Sequence, residues 1–421
     1  MKKVIDISII ALNLSLSYSI LPQLIFFQYE RAYSIIIVLL INIIYLTVRF
    51  KGFFSYYNDL LFHLFWLINV TNLIFGSLTG TYGFGIMPYI FTNITFFFIL
   101  VSVYKSHETT NPEKGLKIII TPYLVLSYIS VLGALTAYIL AQTGLIDPYN
   151  NLINSDYSIF QSNLRDPNIN YYFVSIFSVL FDSNIIRLPG INQFGMFTGL
   201  YHEPHIFTFM TTPALFLSLN YTKNRLIKLI IISIFLFTFI QSTSATNLIS
   251  LFIVISFYVF FKINNLFGKI IIISTLAIVG IYYLANSDII NFVIGKIYSG
   301  STRYTVDMIK FAFSPKSFFG TSFYNLNYLD TYWNDADETM DVGLINFTLN
   351  LLFLIILIRR VYLINKKTEY HKTYFFGLAF LYYFLHSTKI TMYSYSLSTT
   401  VFFLFLSYII LKSITAKYTQ G

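Results

Sequence analysis

The sequence predicts an all-α, polytopic integral membrane protein, a single domain over 1–421 that crosses a bilayer about twelve times as helices. Three observations carry this expectation. The 421 residues are 56% hydrophobic and only 11% charged, whereas soluble domains carry roughly 25% charged residues. So few ionisable side chains cannot build a water-facing surface. Apolar stretches also recur at lengths near the ~20 residues a helix needs to cross hydrocarbon. Finally, basic residues accumulate in alternate loops between those stretches, the pattern expected of cytoplasmic loops.

The first apolar run covers about 4 to 27 behind Lys2 and Lys3, with no small-residue cleavage site after it, and reads as an uncleaved first span. Further spans follow at about 32 to 48, 60 to 78, 84 to 104, 117 to 141, 204 to 220, 226 to 242 and 246 to 261. The last four lie at about 269 to 285, 342 to 358, 373 to 388 and 392 to 411. One set of loops then holds Lys2, Lys3, Arg49, Lys51, Lys105, Lys114, Lys117, Lys223, Arg225, Lys228, Lys262 and Lys269. The same side continues with Arg359, Arg360, Lys366, Lys367, Lys372, Lys412 and Lys417, leaving about eight basic residues opposite, so both termini are expected in the cytoplasm.

The net charge of +9 would suggest nucleic acid in a soluble protein, but these positions explain it, so the lipid bilayer is the expected partner and no nucleic acid is. Cysteine is absent, which excludes thiol catalysis and disulfides. With 35 Tyr against 2 Trp, an interfacial aromatic belt would be mostly tyrosine.

Function is expected on the external side, where two long loops lie at 142–203 and 286–341. The first ends in Arg187-Leu-Pro-Gly-Ile-Asn-Gln-Phe-Gly-Met-Phe-Thr-Gly-Leu-Tyr-His-Glu-Pro-His205, directly before the sixth span. Gly190, Gly195 and Gly199 permit unusual backbone angles or close approach, and Pro204 suits the first turn of a helix. A helix starting there presents its positive dipole end to the external boundary, a favourable place for phosphate. An acid and two imidazoles, His202, Glu203 and His205, crowd that start. The spacing of the two histidines, i and i+3 beside a proline, does not match a zinc-protease helix, so no metal is expected.

In the second loop Arg303, Lys310 and Lys316 stand out on a side where cations are scarce, which suggests grip on an anionic ligand or pairing with nearby acids. The run Gln241-Ser-Thr-Ser-Ala-Thr246 marks a tight external turn and suits helix capping. His63 reads as a packed, hydrogen-bonded residue of a span. Lys389, at another external turn, could reach the same cavity as the loops or snorkel to the surface.

These features resemble the O-antigen polymerase (Wzy-type) family and its relatives, the O-antigen ligases and capsular polysaccharide polymerases. The resemblance rests on Gly199-Leu-Tyr-His-Glu-Pro204 before a span, the Ser242-Thr-Ser-Ala turn, the Arg303 to Gly320 to Asp341-Val-Gly343 loop, and the overall plan of many spans with two large periplasmic loops. It implies a glycosyltransferase of the bacterial inner membrane that uses no metal or cofactor. Donor and acceptor would both be undecaprenyl-pyrophosphate-linked glycans, with a chain-length regulator as a further partner. By that resemblance Arg187 and Arg303 would hold the pyrophosphate, with Glu203 or His202 as the base. Gly199, His205, Lys310, Lys316 and Lys389 would bind substrate. The same plan also fits an O-antigen ligase, or a flippase or transporter for lipid-linked sugars. Charged residues concentrated in external loops rather than deep in spans, and the absence of paired halves, count against transport.

Overall fold

The computed structural model describes residues 2–17, 31–49, 60–61, 63–68, 70, 86–108, 112–153, 170–182, 194–242, 244–262, 267–268, 270, 274, 344–366, 374–387 and 397–419, and over these the chain is mostly helical. The helices are α1 Lys2–Ser15, α2 Arg31–Arg49, α3 Ile86–Glu108, α4 Pro112–Gln142, α5 Pro204–Tyr221, α6 Arg225–Gln241, α7 Ala245–Lys262, α8 Leu344–Lys366, α9 Tyr374–Ser387 and α10 Leu397–Thr419. Each overlaps an expected span, most with ends shifted by up to about eight residues, α1 by more. Most of the expected spans at 60–78 and 269–285, and the whole of the loop 286–341, lie outside the described residues. His63, expected to be packed, is exposed on its stretch of helix.

Among the described residues two helical stretches are long and apolar enough to cross a membrane, Pro88–Ser106 in α3 and Lys114–Gln142 in α4. Other helices are apolar on their outer faces too. Ile36, Leu40, Ile44 and Val48 form an exposed i, i+4 stripe along α2, and Leu226, Leu229, Ile230, Phe237 and Ile240 are exposed on α6. A helix facing water carries polar residues on that side.

The interior holds the polar groups instead. Asn13 and Asn42 exchange amide hydrogen bonds at 2.8 Å each, and Asn42 also donates to Thr95 Oγ1 at 3.1 Å. Ser398 Oγ donates to Asn93 Oδ1 at 2.8 Å. Asp6 accepts from Arg49 at 2.5 Å and from Tyr45 at 2.7 Å. Aromatic packing fills the remainder, including Phe209 on Tyr383 with centroids 4.6 Å apart and Tyr123 on Phe402 at 5.4 Å.

These contacts set the helix directions. Asp6 meets Arg49 while Asn13 meets Asn42, so α1 and α2 are antiparallel. Thr92 bonds Ile35 O and Asn42 bonds Thr95, so α2 and α3 run parallel. Among residues 50–85, which join them, 60–61, 63–68 and 70 are helical.

The first expected span needs correction: α1 ends at Ser15 and does not run as one helix to 27. Leu16 N and Ser17 N bond to carbonyls three residues back, Asn13 O and Leu14 O, which tightens the last turn. Ser17 Oγ then accepts from Thr399 N at 3.2 Å, tying this end to α10.

The all-α expectation is corrected as well. The segment 142–203 contains a three-stranded antiparallel sheet, β1 Asn170–Ser175, β2 Ser178–Asp182 and β3 Met196–Phe197, in the order β1-β2-β3. Residues 151–153 add a bridge to the outer edge of β1, with Ile153 N donating to Tyr171 O at 2.8 Å. Ile153, Tyr171, Val179, Phe181, Met196 and Leu200 form its own small core, packed on Ile129 of α4.

The sheet has a place to sit because α4 outreaches α5. Tyr123 OH donates to Met210 O at 2.5 Å and Leu200 N donates to Ser130 Oγ at 3.0 Å, so the start of α5 is level with about Ser130. Residues 131–142, about 18 Å of helix, project past it. Tyr138 on that projection packs against Phe197 of β3 and Phe237 of α6.

The Asn13–Asn42 pair is expected to couple its two helices by about 0.6 kcal/mol, the mean for polar pairs between membrane helices. A double-mutant cycle with Asn13→Ala and Asn42→Ala, read by unfolding in mixed micelles, measures it. Strict additivity would show that the two amides act separately.

Candidate functional site

The site is built on a turn that only glycine fits. From β3 the chain passes through Thr198 and Gly199 to His202, then enters α5 at Pro204. Gly199 has φ +56, the left-handed region, and a Cβ there would collide with Ser130 Oγ and Ser130 O of α4. Gly195 is needed for space alone, since a Cβ would lie 2.6 Å from Phe181 O. Thr198 Oγ1 donates to Tyr201 O, closing the turn, and to Val179 O at 3.2 Å. The Gln241 amide clamps β3 from α6, donating to Phe197 O at 3.3 Å and accepting from Phe197 N at 3.0 Å.

The helix begins where Pro204 predicts. Glu203 is the N-cap, with extended backbone, and its carbonyl accepts from Phe207 N at 2.9 Å. Its side chain does not cap the helix. The carboxylate instead lies between two imidazoles, Oε2 being 3.0 Å from His205 Nδ1 and Oε1 4.0 Å from His202 Nε2. The first is a close ion-pair contact and the second is too long for a hydrogen bond. Side-chain exposure grades across the three: 7% for His202, 28% for Glu203 and 31% for His205. A carboxylate at this helix end also sits in the favourable field of the dipole. Burial pushes the neighbouring Tyr201 phenol well above its ordinary range, so it stays protonated and is no candidate base.

Deeper along α5, between Thr208 and Thr212, lies a buried polar knot. Asn247 Oδ1 accepts from Thr212 Oγ1 at 3.2 Å and from the Tyr382 hydroxyl, which is also 3.3 Å from Thr208 O. This ties α5, α7 and α9 together below the acid–imidazole cluster. Ser242 and Ser244 act as caps: Ser242 Oγ donates to Phe239 O at 2.8 Å and Ser244 Oγ accepts from Asn247 N at 3.4 Å.

Of the residues singled out from the sequence, the structure brings together His202, Glu203, His205 and Gly199. Arg187, Gly190, Arg303, Lys310, Lys316 and Lys389 lie outside the described residues. Ser130 and Gln241 were not picked as site residues, nor were Thr208, Thr212 and Tyr382. Gln241 had a signal, the polar run it opens at the tight external turn. Ser130 sits in an apolar stretch of α4 and has none.

Set against known protein families, characterised proteins and solved structures, the chain finds no match in any of the three comparisons.

Gly199→Ala is expected to lose roughly 2–5 kcal/mol of stability, from the left-handed backbone and the collision with Ser130 together. Thermal unfolding of the detergent-solubilised protein measures this, and wild-type behaviour would show that the turn can move. Tyr382→Phe, which keeps the ring and removes one hydrogen bond to Asn247, should cost about 1 kcal/mol in the same assay.

Proposed function

We propose that this chain is a multi-pass protein of the bacterial inner (cytoplasmic) membrane, crossing it about twelve times, and that it polymerises undecaprenyl-pyrophosphate-linked oligosaccharide repeat units into O-antigen or a related surface polysaccharide. The observation that carries the reading is Glu203, held 3.0 Å from His205 and flanked by His202 at the start of an apolar helix. An acid set among imidazoles at that position suits proton transfer beside a lipid-anchored substrate. Apolar outer faces, buried polar pairs and the parallel run of α2 and α3 support the membrane arrangement.

In this mechanism the growing glycan on undecaprenyl pyrophosphate is the donor. A hydroxyl of a second lipid-linked repeat attacks its anomeric carbon, the new glycosidic C–O bond forms, and the bond to pyrophosphate breaks. Glu203 takes the hydroxyl proton, with His205 holding one carboxylate oxygen so that the other faces the acceptor; His202 is the alternate base. Undecaprenyl pyrophosphate leaves with the bonding electrons, and the cations Arg187 and Arg303, aided by Lys310 and Lys316, stabilise its charge. Lys389 and Gly199 complete the substrate-binding set. One displacement inverts the anomeric configuration. A chain-length regulator would act alongside the enzyme.

Glu203→Gln removes the proton acceptor while keeping the shape, and should lower polymer formation by about 100-fold or more. The measurement is the polysaccharide ladder from cells lacking the gene and carrying the variant, with membrane insertion verified separately. Full ladders from a correctly inserted Glu203→Gln protein exclude Glu203 as base and move the role to His202 or His205. Ala variants at Arg187 and Arg303 should leave single-repeat material only; loss of even the single repeat in the deletion strain would indicate a flippase or ligase instead.

A further inference from the structure

The β1–β2 hairpin ends in a two-residue turn, Ile176–Phe177, between the paired Ser175 and Ser178. Two-residue hairpin turns in water are made from Gly, Asn and Asp, which tolerate the backbone and hydrate well. Here a β-branched residue and an aromatic one occupy the tip, exposed by 67% and 47%. The tip is not loose. The backbone of Phe177 lies so close to Gly133 of α4 that a Cβ at Gly133 would collide with Phe177 O and come within 2.9 Å of Phe177 Cβ. A glycine in the middle of a long helix weakens that helix. At Gly133 it gives the hairpin its seat.

That seat fixes the depth of the tip. Gly133 lies sixteen residues beyond Lys117, the last cation at the basic end of α4, or about 24 Å along the helix axis. Hydrocarbon is about 30 Å thick, so the tip falls about 6 Å inside the far boundary. A second observation places it there independently of the thickness. Ile139 and Leu140, farther along α4 than Gly133, are themselves exposed apolar residues, as is Leu132 beside it. The apolar outer surface of α4 therefore continues past the tip, and Ile176 and Phe177 extend it sideways.

We propose that the β1–β2 hairpin inserts Ile176 and Phe177 among the acyl chains of the outer leaflet, beside α4. The proposal rests on the membrane reading given above and adds one element to it. Acyl chains are the occupant that fits, because the tip offers apolar contact and the surface it joins is the outer face of a membrane-length helix. The consequence reaches the candidate site. β2 pairs with β3, and β3 leads through Gly199 to Glu203, so a hairpin anchored in the leaflet fixes the depth of His202, Glu203 and His205 beside α4.

The test uses the absence of cysteine in the natural chain. Single-cysteine variants Ile176→Cys and Phe177→Cys, labelled with the fluorophore NBD, are placed in nanodiscs of phosphatidylethanolamine and phosphatidylglycerol. Phe91→Cys on exposed α3 serves as lipid reference and Asn151→Cys, exposed in the sheet layer, as aqueous reference. Lipids with a nitroxide on the acyl chain should quench positions 176 and 177 as they quench position 91. Aqueous iodide should quench them about fivefold less than position 151. Iodide quenching at 176 and 177 equal to that at 151, with position 91 still quenched by lipid, would overturn the insertion while leaving the membrane reading intact. Loss of lipid quenching at position 91 as well would overturn both.

Discussion

The close approach of the Gly199 turn to Ser130 joins the two parts of this protein. On one side is a bundle of apolar helices; on the other is a layer of loop and short strands with a core of its own. Leu200 N donates to Ser130 Oγ at 3.0 Å, and glycine at 199 lets the backbones approach with φ at +56. Everything around the candidate site takes its height from that contact. It sets the start of α5 level with Ser130, leaves residues 131–142 projecting, and so provides the surface on which β1, β2 and β3 pack.

The bundle exposes apolar side chains on its outer helix faces and pairs buried polar ones across helices. Asn13, Asn42, Asn93, Asn247 and Asp6 are buried and bonded across helices, while leucine and isoleucine line the outside. Where the surroundings offer no hydrogen bonds, polar side chains gain by finding one another, and helices are held at defined rotations by those pairs. The Thr212–Asn247–Tyr382 knot does this about two and a half turns below Glu203, beneath a rim that is half-exposed. Glu203 combines a carboxylate at a fixed helix start with partial exposure, its Oε2 3.0 Å from His205 Nδ1.

Much of this was legible in the residues. Pro204 marked the helix start, Gly195 and Gly199 marked close backbone approach, and His202, Glu203 and His205 were recognisable as a cluster because four consecutive positions must stay near one another. The hydroxyls of Ser242 and Ser244 were legible as caps. The sheet was not. Its strands are two to six residues long, too short for their alternation to announce them, and Val179 to Phe181 are buried on both faces because α4 covers one of them.

By itself the sequence determined the helical character of the chain, most helix positions and the grouping of acid and imidazoles, since these follow from local periodicity, proline and charge. Only the tertiary structure decided that Glu203 lies 3.0 Å from His205 while His202 stays at 4.0 Å, that Ser130 and Gln241 brace the turn, and that a hairpin seats on Gly133. Those outcomes depend on residues 44 to 70 positions apart meeting at a particular height, as Gln241 meets Phe197 and Leu200 meets Ser130. No local pattern encodes such a meeting; the packing of the helices sets it.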